Sequence, residues 1–379
     1  MEQQVPVRVD RKGDIIAVSI LTVVLLVAFF LYGTINWQIE PYVHWDLSQY
    51  ITMAQAENVS DCGAAKPYCY RWLAPLLAKW MPLDVVQSFR VLTLLFCGGL
   101  TYLFYAFLRS RSFSWQVSLV VSILIILNKY LFGLLVWDYF QLVDVIGLVL
   151  IVGMLWAIEA RAWLVFGVLL VFGAATKETC MLLIPVALIS LWQAKEPEKK
   201  VYACCACIPG ILIFVLVRIL THSAGGLDLF EAFRTHAPKI LQPEKLAKMF
   251  VNIWVPISLL PFLCFGSTLQ FFRKHLPYLV FVALVYVSVL FGTDTERLVA
   301  PAGVVVFWLM AYLLEHNLRH PVFHAVLIGS AVISSFHQEI GRFPLPSQKY
   351  TLALALGSLV LVSSAAFFCR HKPKTDIPS

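Results

Sequence analysis

Apolar runs long enough to cross a lipid bilayer recur along the whole chain, and few folds can accommodate them. The first, from Ile15 to Tyr32, contains no charged residue. Coiled as a helix, about 20 such residues cover the roughly 30 Å of a bilayer's hydrocarbon core. Lipid offers no partner to a backbone N–H or C=O, so a chain that threads it repeatedly must close its hydrogen bonds within each segment. The predicted fold class is therefore all-α, a polytopic membrane helical bundle.

Composition agrees. Of 379 residues, 60% are hydrophobic and 13% charged, whereas a water-soluble domain carries about a quarter charged residues. Mean hydropathy is +0.80. The first run is too long for the apolar part of a signal peptide and no small-residue cleavage site follows it, so it reads as a retained span. The formal charge of +7 does not point to nucleic acid. The basic residues stand mostly at loop ends, where they orient spans and meet anionic lipid heads.

Hydropathy divides the chain into about twelve spans, near 15–34, 87–108, 114–128, 139–158, 162–175, 179–194, 201–220, 251–271, 276–291, 298–314, 321–336 and 351–369. The whole of 1–379 reads as one transmembrane domain without repeats or a soluble module. Placing the N-terminus in the cytosol puts Arg8, Arg11, Lys12, Arg109, Arg111, Arg161, Lys195, Lys199, Lys200, Arg273, Lys274, Arg319, Arg370, Lys372 and Lys374 on the inner side, mostly in short connections. The positive-inside rule then sets both termini inside. Two long outer loops remain, 36–86 and 221–252, with amphipathic stretches (YRWLAPLLAKWM, and PEKLAKMFVNIW at the end of the second) suited to lying in the interface. The scarcity of long soluble loops points to a bacterial inner membrane.

The cysteines form no metal pattern. Cys204, Cys205 and Cys207 fall in an apolar span and read as small hydrophobes. Cys62 and Cys69 share a polar outer loop, where a disulfide and free thiols both remain open. His44, His222, His236 and His337 lack ligand-like spacing and read as loop or interface residues.

The ionisable residues near the membrane are not scattered. Asp46 lies between Trp45 and Tyr50 after the first span; Arg71 begins the amphipathic part of the same loop. Asp138 follows the third span, Lys177 and Glu178 form the turn ATKETC, and Asp294, Glu296 and Arg297 fall in GTDTERLVAP. On this topology all occur at one face. Burying such groups in hydrocarbon costs several kcal/mol unless they pair or meet water, which favours a shared wet cavity. A carboxylate there can deprotonate an acceptor hydroxyl, Lys and Arg can stabilise a phosphate leaving group, and two carboxylates can alternatively hold a divalent cation. Each residue also has a plainer reading. Asp46 and Asp138 suit helix caps, Lys177 and Glu178 an exposed turn pair, Asp294 and Arg297 a local ion pair, and Arg71 a snorkelling cation. Asp144, deeper in a span, suits either a function or a hydrogen bond to a neighbouring helix.

The motifs HWDLSQY, YRWLAPLL, WDYF, ATKETC and TDTERLVAP, in that order over most of the chain, resemble the C-type glycosyltransferase superfamily, integral membrane enzymes that use polyprenyl-phosphate or dolichyl-phosphate sugars. The resemblance implies that Asp46 is the catalytic base and Asp138 the second acid. It implies that Lys177 and Arg297 contact the donor phosphate and that Arg71 supports the donor or Asp46, with Tyr50, Glu178 and Asp294 completing the substrate site. Asp46 stands alone rather than in a paired-acid motif, so a Mg or Mn ion remains an open alternative rather than an implied cofactor. Without a large C-terminal soluble domain, the acceptor expected is small or lipid-bound. The reading is an inverting transfer at the non-cytosolic face, with the sugar donor and membrane lipids as partners and oligomeric state undetermined. A polymerase using lipid-linked sugars, a transporter or flippase, and a non-catalytic subunit are the alternatives.

Overall fold

The computed structural model describes residues 10–39, 45–58, 61, 63–193, 197–222, 225, 229–292 and 294–369. Cys62 of the expected cysteine pair, and Arg8, Lys195, Arg370, Lys372 and Lys374 of the basic residues used for orientation, lie outside the described residues. Every regular element among the described residues is helical. In chain order these are α1 (Arg11–Tyr32), α2 (Asp46–Gln55), α3 (Leu73–Trp80), α4 (Val85–Ser110), α5 (Trp115–Leu127), α6 (Leu134–Trp137), α7 (Leu142–Glu159), α8 (Trp163–Ala174), α9 (Leu183–Trp192) and α10 (Pro197–Leu220). There follow α11 (Leu229–Ile240), α12 (Pro243–Phe250), α13 (Leu260–Leu263), α14 (Phe265–Lys274), α15 (Leu276–Ser288), α16 (Thr295–Val299), α17 (Gly303–His316), α18 (Pro321–Ser335) and α19 (Gln348–Cys369).

Six continuous helical segments have the length and apolarity of a membrane span: α1, α4, Tyr139–Glu159, Lys200–Leu220, Thr295–His316 and α19. Two further candidates are bent pairs, Trp115–Leu127 with Lys129–Trp137 at 59° and Phe265–Lys274 with Leu276–Phe291 at 102°. Helices α8 and α18 and the segment Glu178–Trp192 are apolar but shorter. The first of these bends has a local cause. There Asn128 leaves the helical conformation and its Oδ1 accepts from the backbone N–H of Tyr130 and Leu131, starting a new turn in a new direction; its Nδ2 donates to the Ile253 carbonyl and pins the corner. The stretch 251–271, expected as one span, is instead a chain of short turns followed by α14. Pro256 and Pro261 each lack the N–H that a continuous helix would use there.

Helix α7 is buried on nearly every side, as a helix apolar all round should be. It packs against α4 and α8, while α5 packs against α1, α4, α17 and α18. The outer helices present apolar side chains outward, including Val23, Leu26 and Phe30 on α1, Leu212 and Ile219 on α10, and Val360 and Phe367 on α19. That is the pattern of a membrane bundle, with lipid rather than water outside it. The span bearing the cysteine triplet differs from the expectation. Cys207 is buried, but Cys204 and Cys205 point out of the bundle because the opposite side of α10 faces α8.

Charge collects at the two ends. At the far end the Arg109 guanidinium pairs with Asp14 (2.7 Å), Arg111 with Glu159 (2.6 Å) and Arg319 with Glu315 (3.0 Å). At the near end stand the residues singled out in the sequence, and the 18 residues of α7 separate the ends by about 27 Å at 1.5 Å per residue.

The α8–α10 contact depends on small residues. A methyl group added at Gly167 would lie 2.9 Å from the Ala206 carbonyl oxygen, a backbone atom that cannot swing aside. Gly167→Ala should therefore overpack this contact and destabilise the protein by about 1–3 kcal/mol, read as a lower thermal midpoint in nanodiscs. An unchanged midpoint would mean that α8 and α10 do not pack this closely.

Candidate active site

The near-end residues come from separate connections and meet around Arg297. This arginine lies in α16, a short helix beginning just after Asp294. Its Nη1 donates to Asp46 Oδ2 (2.6 Å) and to Asp294 Oδ2 (3.1 Å), and its Nε donates to Asp144 Oδ2 (3.0 Å). Asp144 is in the first turn of α7 and its other oxygen accepts from Lys177 Nζ. Lys177 is set by the tight turn between α8 and the 3-10 turn Glu178–Leu182. Both partners are buried, with side chains 3% and 5% exposed.

A second line of groups runs beside the first. The Arg71 Nη1 donates to the Tyr50 hydroxyl (3.2 Å), and its Nη2 pairs with Glu178 Oε2 (3.4 Å). Glu178 is shared with Arg218 of α10 (3.4 Å). Tyr68 joins the two lines: its hydroxyl donates to Asp46 Oδ1 (2.9 Å), and its ring packs edge-on against Tyr50 at 5.8 Å between centroids. Burial pushes the Tyr50 phenol up to about 12, and burial with the Asp46 carboxylate raises that of Tyr68, so both stay protonated. Burial opposes the charge of Arg71, but Glu178 and Tyr50 more than offset it and hold its pKa above the ordinary value.

The plainer readings fare differently. Asp46 is the first residue of α2 and its carboxylate makes no capping bond, going to Tyr68 and Arg297 instead. Lys177 and Glu178 are not an exposed turn pair, since one pairs with Asp144 and the other with two arginines. Asp294 and Arg297 do form the local pair, and Asp294 is the outermost acid with its side chain 59% exposed. Asp138 stands apart from these ion pairs. Its Oδ2 accepts from Gln141 Nε2 (2.7 Å) and its buried Oδ1 has no hydrogen-bond partner among the described residues.

Sequence reasoning left Asp144 open between a function and a structural hydrogen bond and did not place it in the substrate site, yet it is the central carboxylate. An acid inside an otherwise apolar span was the available signal. It also missed a neighbouring group. Lys248 pairs with Glu296, the residue before Arg297, and lies over the Tyr130 ring at 5.9 Å, while Tyr130 accepts from Asn252 Nδ2 (3.1 Å). Lys129 is 4% exposed, sits 5.2 Å from the same ring, and its Nζ has no hydrogen-bond partner among the described residues.

The site's chemistry is that of a closed charge network. Asp46, Asp144, Glu178 and Asp294 face Lys177, Arg71, Arg218 and Arg297, four against four. No group of three or more His, Cys, Asp or Glu is arranged to hold a metal ion among the described residues. The carboxylates instead converge on a guanidinium and an ammonium, and this donor set does not fit a Mg or Mn ion.

Two outcomes follow. Removing one partner of a buried ion pair strands the other and costs about 3–5 kcal/mol, so Lys177→Met should lower the thermal midpoint, and adding Asp144→Asn should recover part of the loss. Failure of the double variant to recover any would separate the two residues. Asp138 lies in the connection between two spans, where burial, working against Arg297, pushes it up to about 7. Its contribution to stability is then full below the unfolded value of 3.8 and lost as pH rises through about 7. Asp138→Asn should flatten the fall of the thermal midpoint between about pH 4 and 7, and parallel curves for variant and parent would contradict this burial.

No family model matches the chain, and no curated protein matches it in sequence. Among solved structures it is similar to ArnT from Cupriavidus metallidurans, in the crystal structure of the apo state. The TM-score is 0.54 at 13% identity, covering 94% of this chain and 74% of that one. That likeness is one of fold, and the all-helical membrane bundle described above is arranged like that of ArnT.

Proposed function

We propose that this protein is a membrane glycosyltransferase that moves a sugar from a polyprenyl-phosphate donor to a small or lipid-bound acceptor, at the non-cytosolic face and with inversion. The observation that carries the reading is Arg297, a cation held between Asp46 and Asp144 at the near end of an ArnT-like bundle. Both demands of the reaction meet there. The acceptor needs a base, and the departing phosphate needs positive charge.

In this reading the donor phosphate approaches Arg297 and takes over the Nη1 that Asp46 holds in its absence. Asp46 keeps its bond from Tyr68 and becomes free to accept the acceptor's hydroxyl proton. The acceptor oxygen attacks the anomeric carbon from the side opposite the phosphate. The bond between that carbon and the phosphate oxygen breaks, and polyprenyl phosphate departs with the electron pair. A single displacement of this kind inverts the anomeric centre. Arg297, with Arg71 at its side, meets the charge that grows on the phosphate, while Lys177 keeps Asp144 placed to hold Arg297. Lys129, whose ammonium has no acid partner among the described residues, adds a cation beside the same helix.

The test is Asp46→Asn in the full chain, supplied with polyprenyl-phosphate sugar. Transfer should fall by at least about 100-fold, the lower range for removing a general base, while retained polyprenyl-phosphate binding and a near-normal thermal midpoint show an intact fold. Undiminished turnover removes Asp46 from the chemistry. A transport reading draws on the two bent helix pairs. Movement of labelled lipid-linked sugar across a vesicle membrane with no glycosidic bond formed would favour it.

A further inference from the structure

One cation at the near end stays outside the matched network. Lys129 opens the turn Lys129–Gly133, where Asn128 has bent the chain out of α5. Its side chain is buried, and its Nζ has neither a hydrogen-bond nor an acid partner among the described residues. It lies against the Tyr130 ring, 5.2 Å from the centroid. A buried ammonium without a counter-charge is strongly unfavourable, and at the margin of a membrane such a group is a functional candidate by default.

Three further donors gather at the same ring. Lys248 of α12 lies over it at 5.9 Å, with its side chain 33% exposed and its charge paired with Glu296. His337, in the connection after α18, packs edge-on against it at 5.8 Å. The Nδ1 of His337 accepts from the backbone N–H of Glu339 (3.1 Å) and Ile340 (3.3 Å), so the hydrogen of the neutral ring is on Nε2. Burial, followed by the fields of Lys129 and Lys248, lowers His337 to about 4, so it adds a donor beside the two lysines without adding charge. The Tyr130 hydroxyl accepts from Asn252 Nδ2 (3.1 Å) and keeps its own hydrogen to give. Two acids adjoin the cluster: Glu296, held by Lys248, and Glu339, which is exposed.

We infer that Lys129, Lys248, Tyr130 and His337 form a second anion site, beside the Arg297 network, that takes a phosphate group. Donors arriving from the turn after α5, from α12 and from the connection after α18 suit a group with several acceptor oxygens, and two ammonium groups give it charge-assisted bonds. Lys248 is the exposed member, so an incoming anion meets it first and competes with Glu296 for it, while Lys129 supplies the unmatched charge behind. The cluster lies at the end of a membrane bundle, so the phosphate can belong to an anionic lipid head or come from solution, and both present the same oxyanion. Among the described residues no hydrogen bond or ion pair joins Lys129, Tyr130 or His337 to Asp46, Asp144, Lys177 or Arg297. The inference therefore does not rest on the transfer reaction.

The experiment uses the full chain in phosphatidylcholine nanodiscs, with the thermal midpoint as readout. One arm titrates inorganic phosphate at fixed ionic strength, and a second replaces part of the phosphatidylcholine with phosphatidylglycerol. A rise in midpoint with either supports the site and identifies its source. Lys129→Met keeps an apolar stem and removes the charge, and it should weaken the apparent affinity about tenfold. Without a probe its midpoint should equal or exceed the parent's, because a buried unpaired charge has gone. Glu296→Gln frees Lys248 from its competitor and should tighten binding about threefold, the scale of a partly exposed ion pair; a merely structural acid would give no such gain. No rise with either probe overturns the proposal. So does weaker binding in Glu296→Gln, and so does a rise that Lys129→Met keeps in full, which would place the phosphate at Arg297 or report a general effect of anionic lipid. Transfer in Asp46→Asn and the anion response in Lys129→Met are read in separate assays, so either reading can fail alone.

Discussion

The near end of this molecule is organised by one guanidinium held between two carboxylates that the chain brings from far away. Arg297 meets Asp46 across 251 residues of sequence and Asp144 across 153. Neither acid is tolerable there alone, because a charge at the margin of a hydrocarbon slab must be matched or hydrated. Arg297 suits the role through its planar fork, which offers several N–H donors in fixed directions. Lysine, with one point of charge, serves Asp144 from the other side. The loop after α1, the start of α7, the turn after α8 and α16 are therefore tied to one another, and a shift in any of them unmatches a buried charge.

This closure has a chemical consequence. Four acids against four bases leave the network balanced, with the Asp46 carboxylate already satisfied by Arg297 and Tyr68. In the proposed reaction an incoming phosphate competes for the guanidinium and frees the Asp46 carboxylate to meet the acceptor hydroxyl as the donor arrives. The two tyrosine hydroxyls, kept protonated by burial, stay neutral: that of Tyr68 donates to Asp46 and that of Tyr50 accepts from Arg71, and neither adds charge. In the proposed reaction the proton taken onto Asp46 also removes one negative charge while another develops on the departing phosphate, so the net charge of the site changes little.

Much of this was legible in the sequence, and the physics says why. Spans such as 139–158 and 298–314 follow from apolar length alone, which no tertiary contact can override in lipid. The gathering of Asp46, Lys177 and Arg297 follows from the cost of unpaired charge combined with a topology that places their connections at one face. The central position of Asp144 was harder to see, because one acid in a span does not declare which helix it faces. The stretch 251–271 looked like a span because its residues are apolar, but Pro256 and Pro261 interrupt the hydrogen bonding that hydropathy does not register. Lys129 was hidden for a related reason. It follows Asn128, whose capping bonds turn the chain out of α5, and only that turn carries the lysine towards Tyr130. The outward faces of Cys204 and Cys205 depend on which side of α10 meets α8, a matter of Gly167 and Ala206 touching rather than of either cysteine.

The two ends of the bundle solve the same problem in different ways. At the near end the cations are matched, so the site is held shut by its own acids and a ligand must compete for its place. At the far end Arg111 pairs with Glu159, which also accepts from the Tyr278 hydroxyl, and Arg109 pairs with Asp14. A matched network favours a ligand that comes and goes, because each contact it makes replaces one already present. Helix α7 joins the two, carrying Asp144 in its first turn and Glu159 in its last. The near site's central carboxylate and the far end's paired acid are thus mounted on one helix, so neither end can turn about that axis without the other.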